Sequence, residues 1–391
     1  MSGLDDLIGQ AAACADPGAS ALPRQAADAE QEALRILQIC NACRYCEGYC
    51  AVFQSMTRRL SFDTVDVRYL ANLCHNCGSC LHACQYAPPH EFAVNVPQTM
   101  ARVRLLGWRR HAWPRVLGRL YTRNGLVLAW LLAAGSALFL VLALLLHGTL
   151  WHAQSGGDFY AVFPHDLMAG VFGLLSLGVL LALGVGCAGY WREIDPGGPG
   201  AASLADAVGA VAGLRYLGGG HGQGCNNEDD RFSLARRNAH HALFYGFGLC
   251  LLATCVATLY HYLLRLPAPY PYTSLPVVLG MAGGAGIVVG GTALLALRLR
   301  RDPRQGDPDQ AAMDLGFTAL LLLVALTGLV LAVLRASAAM PALLALHLGA
   351  VFALFATMPY GRFMHAPLRV IALVKWAVER RRAAGVAAAG D

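Results

Sequence analysis

Charge is what this 391-residue chain has least of. Asp, Glu, Lys and Arg make up 14% of it and apolar residues 56%, whereas an ordinary soluble domain carries roughly 25% charged residues. That balance excludes a protein that faces water on all sides. The opening residues, MSGLDDLIGQ, bring neither a basic start nor an apolar core, so no secretory signal is expected. Without an oxidising destination, the 13 cysteines are not expected to build a disulfide scaffold. A phosphate-binding loop is also missing. Gly218, Gly219, Gly220, Gly222 and Gly224 form a glycine-rich stretch, but no strand precedes it and no G-K-[ST] follows. No nucleophile–base set is visible for organic catalysis, and no recognisable output domain ends the chain.

What is present is two identical cysteine runs. Cys40, Cys43, Cys46 and Cys50 are spaced C-x2-C-x2-C-x3-C, and Cys74, Cys77, Cys80 and Cys84 repeat the spacing 34 residues later. Thiolates so spaced wrap three corners of a cubane [4Fe–4S] cluster, and the fourth cysteine of the run reaches the neighbouring cluster. Two runs therefore imply a two-cluster module. Cys40, Cys43, Cys46 and Cys84 hold one cluster; Cys74, Cys77, Cys80 and Cys50 hold the other. Leu34, Leu37 and Ile39 before the first run, and Val67, Leu70 and Leu73 before the second, have helical spacing. The module is thus expected to be the helical kind of ferredoxin. Ala51 and Gln85 stand where bacterial two-cluster ferredoxins place proline.

The chain divides at changes in composition. Residues 1–30 read as a flexible tail, 31–100 as the ferredoxin module and 101–123 as a basic juxtamembrane linker. That linker holds seven arginines, two tryptophans and no acidic residue. Nucleic acid is the less favoured partner for it, because arginine concentrates beside membrane segments on the cytoplasmic side. Six apolar runs near the length of ~20 residues that spans a bilayer follow within 124–364, at about 125–147, 166–190, 240–264, 275–297, 315–335 and 341–363. A loop at 192–237 interrupts them, and it reads as a surface that packs on the module or on a partner. Residues 365–391 form a basic amphipathic helix and a tail. The segments 102–123, 192–237, 298–304 and 362–382 hold most of the 30 Lys and Arg, while the opposite loops hold Arg265 and Arg335. The positive-inside rule then places both termini and the clusters in the cytoplasm of a bacterium, with the spans in its inner membrane.

Ionisable residues inside spans usually serve a function, and neutral imidazole is a common axial ligand of haem iron. His241 and His261 bracket the third span; His347 and His365 bracket the sixth. At 1.5 Å per residue the two pairs are about 30 Å and 27 Å apart along their helices. The third span runs outward and the sixth inward. His241 is then expected to face His365 at the cytoplasmic level, and His261 to face His347 at the outer level, as ligands of one or two b-type haems. His240 can replace His241, and His147 can replace an outer ligand. Bland readings apply elsewhere: interfacial histidines at span ends, and polarity tuning by His75, His82 and His90 near the clusters.

The stretches CNACRYCEGYC and LCHNCGSCLHAC, then LRYLGGGHGQGC, RRNAHHALFYGFGLC and HLGAVFALFATMPYGRFMH, resemble the tricarballylate-utilisation (citrate-utilisation) protein B family over about residues 35–370. The sixth span, with His347, Pro359-Tyr360 and His365, is also similar to the last span of the nitrate-reductase gamma subunit, a two-haem cytochrome b. The resemblance implies an iron–sulfur and haem membrane protein that reoxidises a partner FAD-dependent dehydrogenase. That partner oxidises tricarballylate to cis-aconitate, and electrons pass to the membrane quinone pool.

The expected fold is therefore all-α: a helical two-cluster [4Fe–4S] ferredoxin module followed by a six-span transmembrane cytochrome b-like bundle. The expected function is electron transfer from the flavoprotein through clusters and haem to quinone, with no substrate-converting site in this chain. Asp166 and Arg335, polar residues near span ends, are candidates for the quinone edge. The alternatives are a membrane-bound iron–sulfur redox sensor and a transporter with an accessory ferredoxin. Neither the output domain of a sensor nor the half-repeat of a transporter is evident.

Overall fold

The computed structural model describes residues 17–382 apart from 122–123, 153–156 and 220–221, and only the backbone of 17–23. The expected tail before residue 17 and the C-terminal tail from 383 lie outside the described residues. Among the described residues the fold is all-α, as expected. The one strand pair is two residues long on each side, β1 (Cys225–Asn226) against β2 (Phe232–Ser233).

Helices deliver each cysteine run to its place. Helix α1 (Pro17–Cys43) starts within the stretch expected to be tail and carries Cys40 and Cys43 on its last turn. Arg44, at φ 55°, ends it. Cys50 is extended and opens α2 (Ala51–Met56). Helix α3 (Thr64–Leu73) begins with a reciprocal Asp63–Asp66 capping box, which satisfies two otherwise orphaned backbone donors. It stops at Cys74, which is extended. Asn76 and Gly78 then take the left-handed conformation and wrap the second run before α4 (Ser79–His82). Helix α5 (Val96–His111), capped by Asn95, closes the module on α1 and α3. Ile36, Leu37, Val67, Leu70, Met100 and Trp108 fill its core.

After a short α6 (Arg115–Leu120) come helices long and apolar enough to cross a membrane: α7 (Asn124–His147), α8 (His165–Ile194), α10 (Ala235–Tyr262), α11 (Leu275–Leu299), α12 (Pro308–Leu334) and α13 (Met340–Thr357), which a 3-10 turn extends to Tyr360. Leucines such as Leu145, Leu174 and Leu180 are exposed around them, as a face that meets lipid requires. The chain is thus a multi-pass membrane protein. Helix α10 packs along α11, α11 on α12, α12 on α13, and α13 along α7. Small residues allow the closest approaches. A Cβ on Gly283 would lie 2.7 Å from the Gly246 carbonyl oxygen, and one on Gly135 would lie 2.9 Å from that of Gly349.

The module sits on one end of this bundle. Helix α9 (Ala201–Ala212), within the expected surface loop, and α14 (His365–Arg381) pack together there. Helix α14 lies between the module and the bundle, against α3 and α8, and buries Leu368, Ala372 and Trp376.

Glycine at the α10–α11 contact is a packing requirement, so Gly283→Ala should destabilise the detergent-solubilised protein by roughly 1–3 kcal/mol, the usual cost of overpacking. Gly170→Ala, whose new Cβ meets nothing within 4 Å, should be neutral in the same thermal melt.

Candidate redox centre

Two cysteine-lined cavities stand side by side in the module. The first, of about 230 Å³, is lined by Cys40, Cys43, Cys46 and Cys84, with Ile39, Tyr45 and Phe53 on its apolar wall. The second, of about 20 Å³, is lined by Cys50, Cys74, Cys77 and Cys80. The cavities bring together the cysteines that the spacing groups into two crossed quartets, with Cys80 on the wall of both. Cys80, Phe53 and Val96 line both cavities, so the two share a wall. Among the described residues no three His, Cys, Asp or Glu side chains come close enough to hold a single metal ion. A cubane spreads its four thiolates over four separate irons, and the donor set fits it.

The electrostatics of the quartets favour such a cation-rich group. Burial, followed by the neighbouring Cys84, Cys46 and Cys43, pushes the Cys40 thiol up to about 12. Burial and Cys84 do the same to Cys46. Four thiolates therefore cannot stand together here unless metal charge offsets their repulsion. Cys77 departs from this trend. A hydrogen bond with Cys225, a buried cysteine from β1 that belongs to neither run, lowers it below the ordinary thiol range. The 192–237 loop thus reaches the second quartet. Tyr216 lines the second cavity and lies 5.9 Å from the His75 ring, centre to centre.

Four arginines from four parts of the chain converge on the backbone of the second run. Arg104 of α5 donates to the Cys74 carbonyl at 2.7 Å, and Arg369 of α14 donates to the same oxygen. Arg236 of α10 and Arg301, just after α11, donate to the Asn76 carbonyl at 2.5 and 3.0 Å. Burial, followed by Arg369, Arg236 and Arg104, holds His75 neutral, well below the usual histidine range. On the far side of the module Arg59 bonds Asp66 at 2.7 Å and also Glu379 of α14, where Ser55 and Tyr69 add hydrogen bonds at 3.0 and 3.1 Å. Arg68 binds Glu30 and Glu193 at 2.7 and 2.6 Å.

A third cavity, of about 120 Å³, opens beneath the second run between α10, α11 and α12. Asn76 lines the second and third cavities alike, so these two also share a wall. His240 and His365 stand on the wall of the third, their ring centres 6.4 Å apart and their planes at 81°. His365 Nδ1 lies 2.7 Å from the Arg362 carbonyl. A carbonyl only accepts, so Nδ1 carries the proton and Nε2 is free to ligate. Two imidazoles bound to one iron from opposite sides, each at a metal–nitrogen distance of about 2 Å, have ring centres roughly 6 Å apart.

The expected histidine pairs are corrected at this point. The residue facing His365 is His240. Consecutive helical residues point about 100° apart, and His241 turns instead to Tyr245, 5.8 Å away. The outer pair is not brought together. His261 stacks on His165 at 4.0 Å, closer than two ligands of one iron can stand. His347 bonds Thr327 Oγ1 at 3.0 Å, and His147 bonds the Val162 carbonyl at 2.8 Å. The physical reason is helix packing: α10 lies along α11, and α13 along α7. Of the quinone-edge candidates, Asp166 is fully exposed, and Arg335 lies over the Tyr272 ring and donates to the Tyr270 carbonyl at 2.8 Å.

Comparison with known proteins agrees with both halves of the chain. The family model "Citrate utilization protein B Fer4-like domain" matches residues 33–112, and the model "Citrate utilization protein B" matches residues 121–386. The chain is 53% identical over 365 residues to a protein of Escherichia coli named "Citrate utilization protein B", which covers 93% of this chain and 96% of that one. No solved structure matches.

The ion pairs that seat the module differ in worth according to burial. Removing one partner of a shielded pair leaves the other without compensation, so Glu379→Ala should cost about 2–3 kcal/mol and speed backbone hydrogen exchange in α2 and α3. Glu32→Ala, which breaks the exposed pair with Arg35, should stay within about 0.5 kcal/mol.

Proposed function

Because the chain belongs to the citrate utilization protein B family, we propose that it is the membrane electron-transfer partner of a FAD-dependent dehydrogenase, and that it passes electrons through two [4Fe–4S] clusters and a b-type haem to quinone. The observation that carries this reading is the adjacency of the three cavities, each sharing lining residues with the next. The first opens beside Tyr45, which is 68% exposed, the second shares its wall, and the third contains the His240–His365 pair.

Cys40, Cys43, Cys46 and Cys84 hold one cluster, and Cys50, Cys74, Cys77 and Cys80 the other. His240 and His365 would hold the iron of the haem. When bound, these groups exchange single electrons, as the link between a two-electron flavin and quinone requires. The chain supplies the rest. Phe53 and Val96 keep water from the wall between the quartets. The Arg362 carbonyl fixes the tautomer and orientation of His365. The arginines on Cys74 and Asn76 place positive charge around the second quartet, which favours its more negative, reduced state. The dehydrogenase substrate, tricarballylate or citrate-like by family, is bound by the partner on the cytoplasmic side of the inner membrane, and this chain converts none itself.

The test is purified protein and membranes carrying single variants. His240→Ala and His365→Ala should each abolish the reduced b-type absorption bands and lower quinone reduction by flavoprotein plus substrate at least tenfold, whereas His241→Ala should preserve both. Bands lost in His241→Ala and kept in His240→Ala would reject the assignment.

A further inference from the structure

The third cavity carries more positive charge than its own residues balance. Arg104, Arg236, Arg298, Arg301 and Arg362 line it against one carboxylate, Asp314. Arg298 and Arg362 share that carboxylate at 2.8 and 3.1 Å. Arg104 Nε is buried without a hydrogen-bond partner, as is His240 Nδ1. Burial, Arg236 and Arg298 lower Arg301 to about 9; burial, Arg104 and Arg298 lower Arg362 to about 10 against the pull of Asp314. Buried guanidinium groups are stable only when paired, and their planar fork suits carboxylate. The negative charge of a cluster in the second quartet answers the arginines on Cys74 and Asn76. Arg298 and Arg362 still have one carboxylate between them.

The walls of the cavity narrow the choice of anion. His240 and His365 stand on its wall beside the guanidinium groups, so a haem that they ligate has its own carboxylates within reach of those arginines. Haem b bears two propionate carboxylates on one edge.

We propose that the arginine-lined cavity is a carboxylate-pair site that holds the two propionates of the haem ligated by His240 and His365, with Arg298 and Arg362 as the holding residues. This rests on the haem reading above. A free polycarboxylate such as citrate offers the same chemistry, and the experiment separates the two sources.

Full-length protein purified in detergent from haem-deprived cells is titrated with haemin and with haemin dimethyl ester, and the bis-histidine absorption is followed. Wild type should bind the ester about tenfold or more weakly than haemin, the size of a lost charge-assisted hydrogen bond. Arg298→Gln should weaken haemin and narrow that gap. Equal affinity of wild type for haemin and ester, with a bis-histidine spectrum, would overturn the propionate assignment and leave the axial ligands standing. Binding of neither, by protein that retains its clusters and melting temperature, would remove the haem reading and this proposal with it. The wild-type comparison stands even where Arg362→Gln fails to fold. In a third arm citrate is added to haem-free protein. No melting shift is expected; one that persists in haem-loaded protein and vanishes in Arg298→Gln would assign the cavity to a free polycarboxylate and overturn the proposal.

Discussion

Everything else in the structure leans on two backbone carbonyls, those of Cys74 and Asn76. Arg104, Arg369, Arg236 and Arg301 reach them from α5, α14, the start of α10 and the end of α11. The module and the membrane bundle are thus tied at the cysteine run nearest the bundle. A charged donor on a buried carbonyl is among the stronger hydrogen bonds a protein makes. Four of them at one turn determine how the second quartet sits over the membrane. The same side chains are costly to bury, and only anionic groups set against them make such burial tolerable; Asp314 is the one carboxylate on the wall of the third cavity.

That arrangement also explains why the second and third cavities adjoin. Asn76 can line both the second and the third because the arginines hold its peptide at the boundary. Tyr216 closes the second cavity from the loop side and Cys225 bonds Cys77 there, while Arg59 and Arg68 clamp the module through their ion pairs. The distal clamps and the proximal arginines together set the orientation of the module on the bundle.

Much of this was legible in the residues. Thiolate spacing is a local code, in which the fourth cysteine of each run belongs with the other run's cluster, and the two cavities gather the cysteines that way. The spans were legible because the bilayer fixes a length: the run near 125–147 corresponds to Asn124–His147. What depended on rotation about a helix axis was not. His240 and His241 are neighbours in sequence, and only packing decides which one faces inward. The outer histidine pair failed for a related reason, since span order along the chain does not say which helices touch. The arginines of 102–123, read only as a marker of membrane orientation, include Arg104, whose partner carbonyl lies 30 residues earlier in the chain. The 192–237 loop, read as packed on the module or on a partner, carries α9 and the β1–β2 pair that brings Cys225 to the second quartet.

The claim that the three sites form one conducting path is tested most directly by rapid mixing under anaerobic conditions. The protein is mixed with its reduced flavoprotein, and cluster and haem absorption are followed separately. Cluster bleaching should precede haem reduction, and Cys84→Ala should stop haem reduction by the flavoprotein while dithionite still reduces the haem. Haem reduction at the wild-type rate in Cys84→Ala would contradict the account.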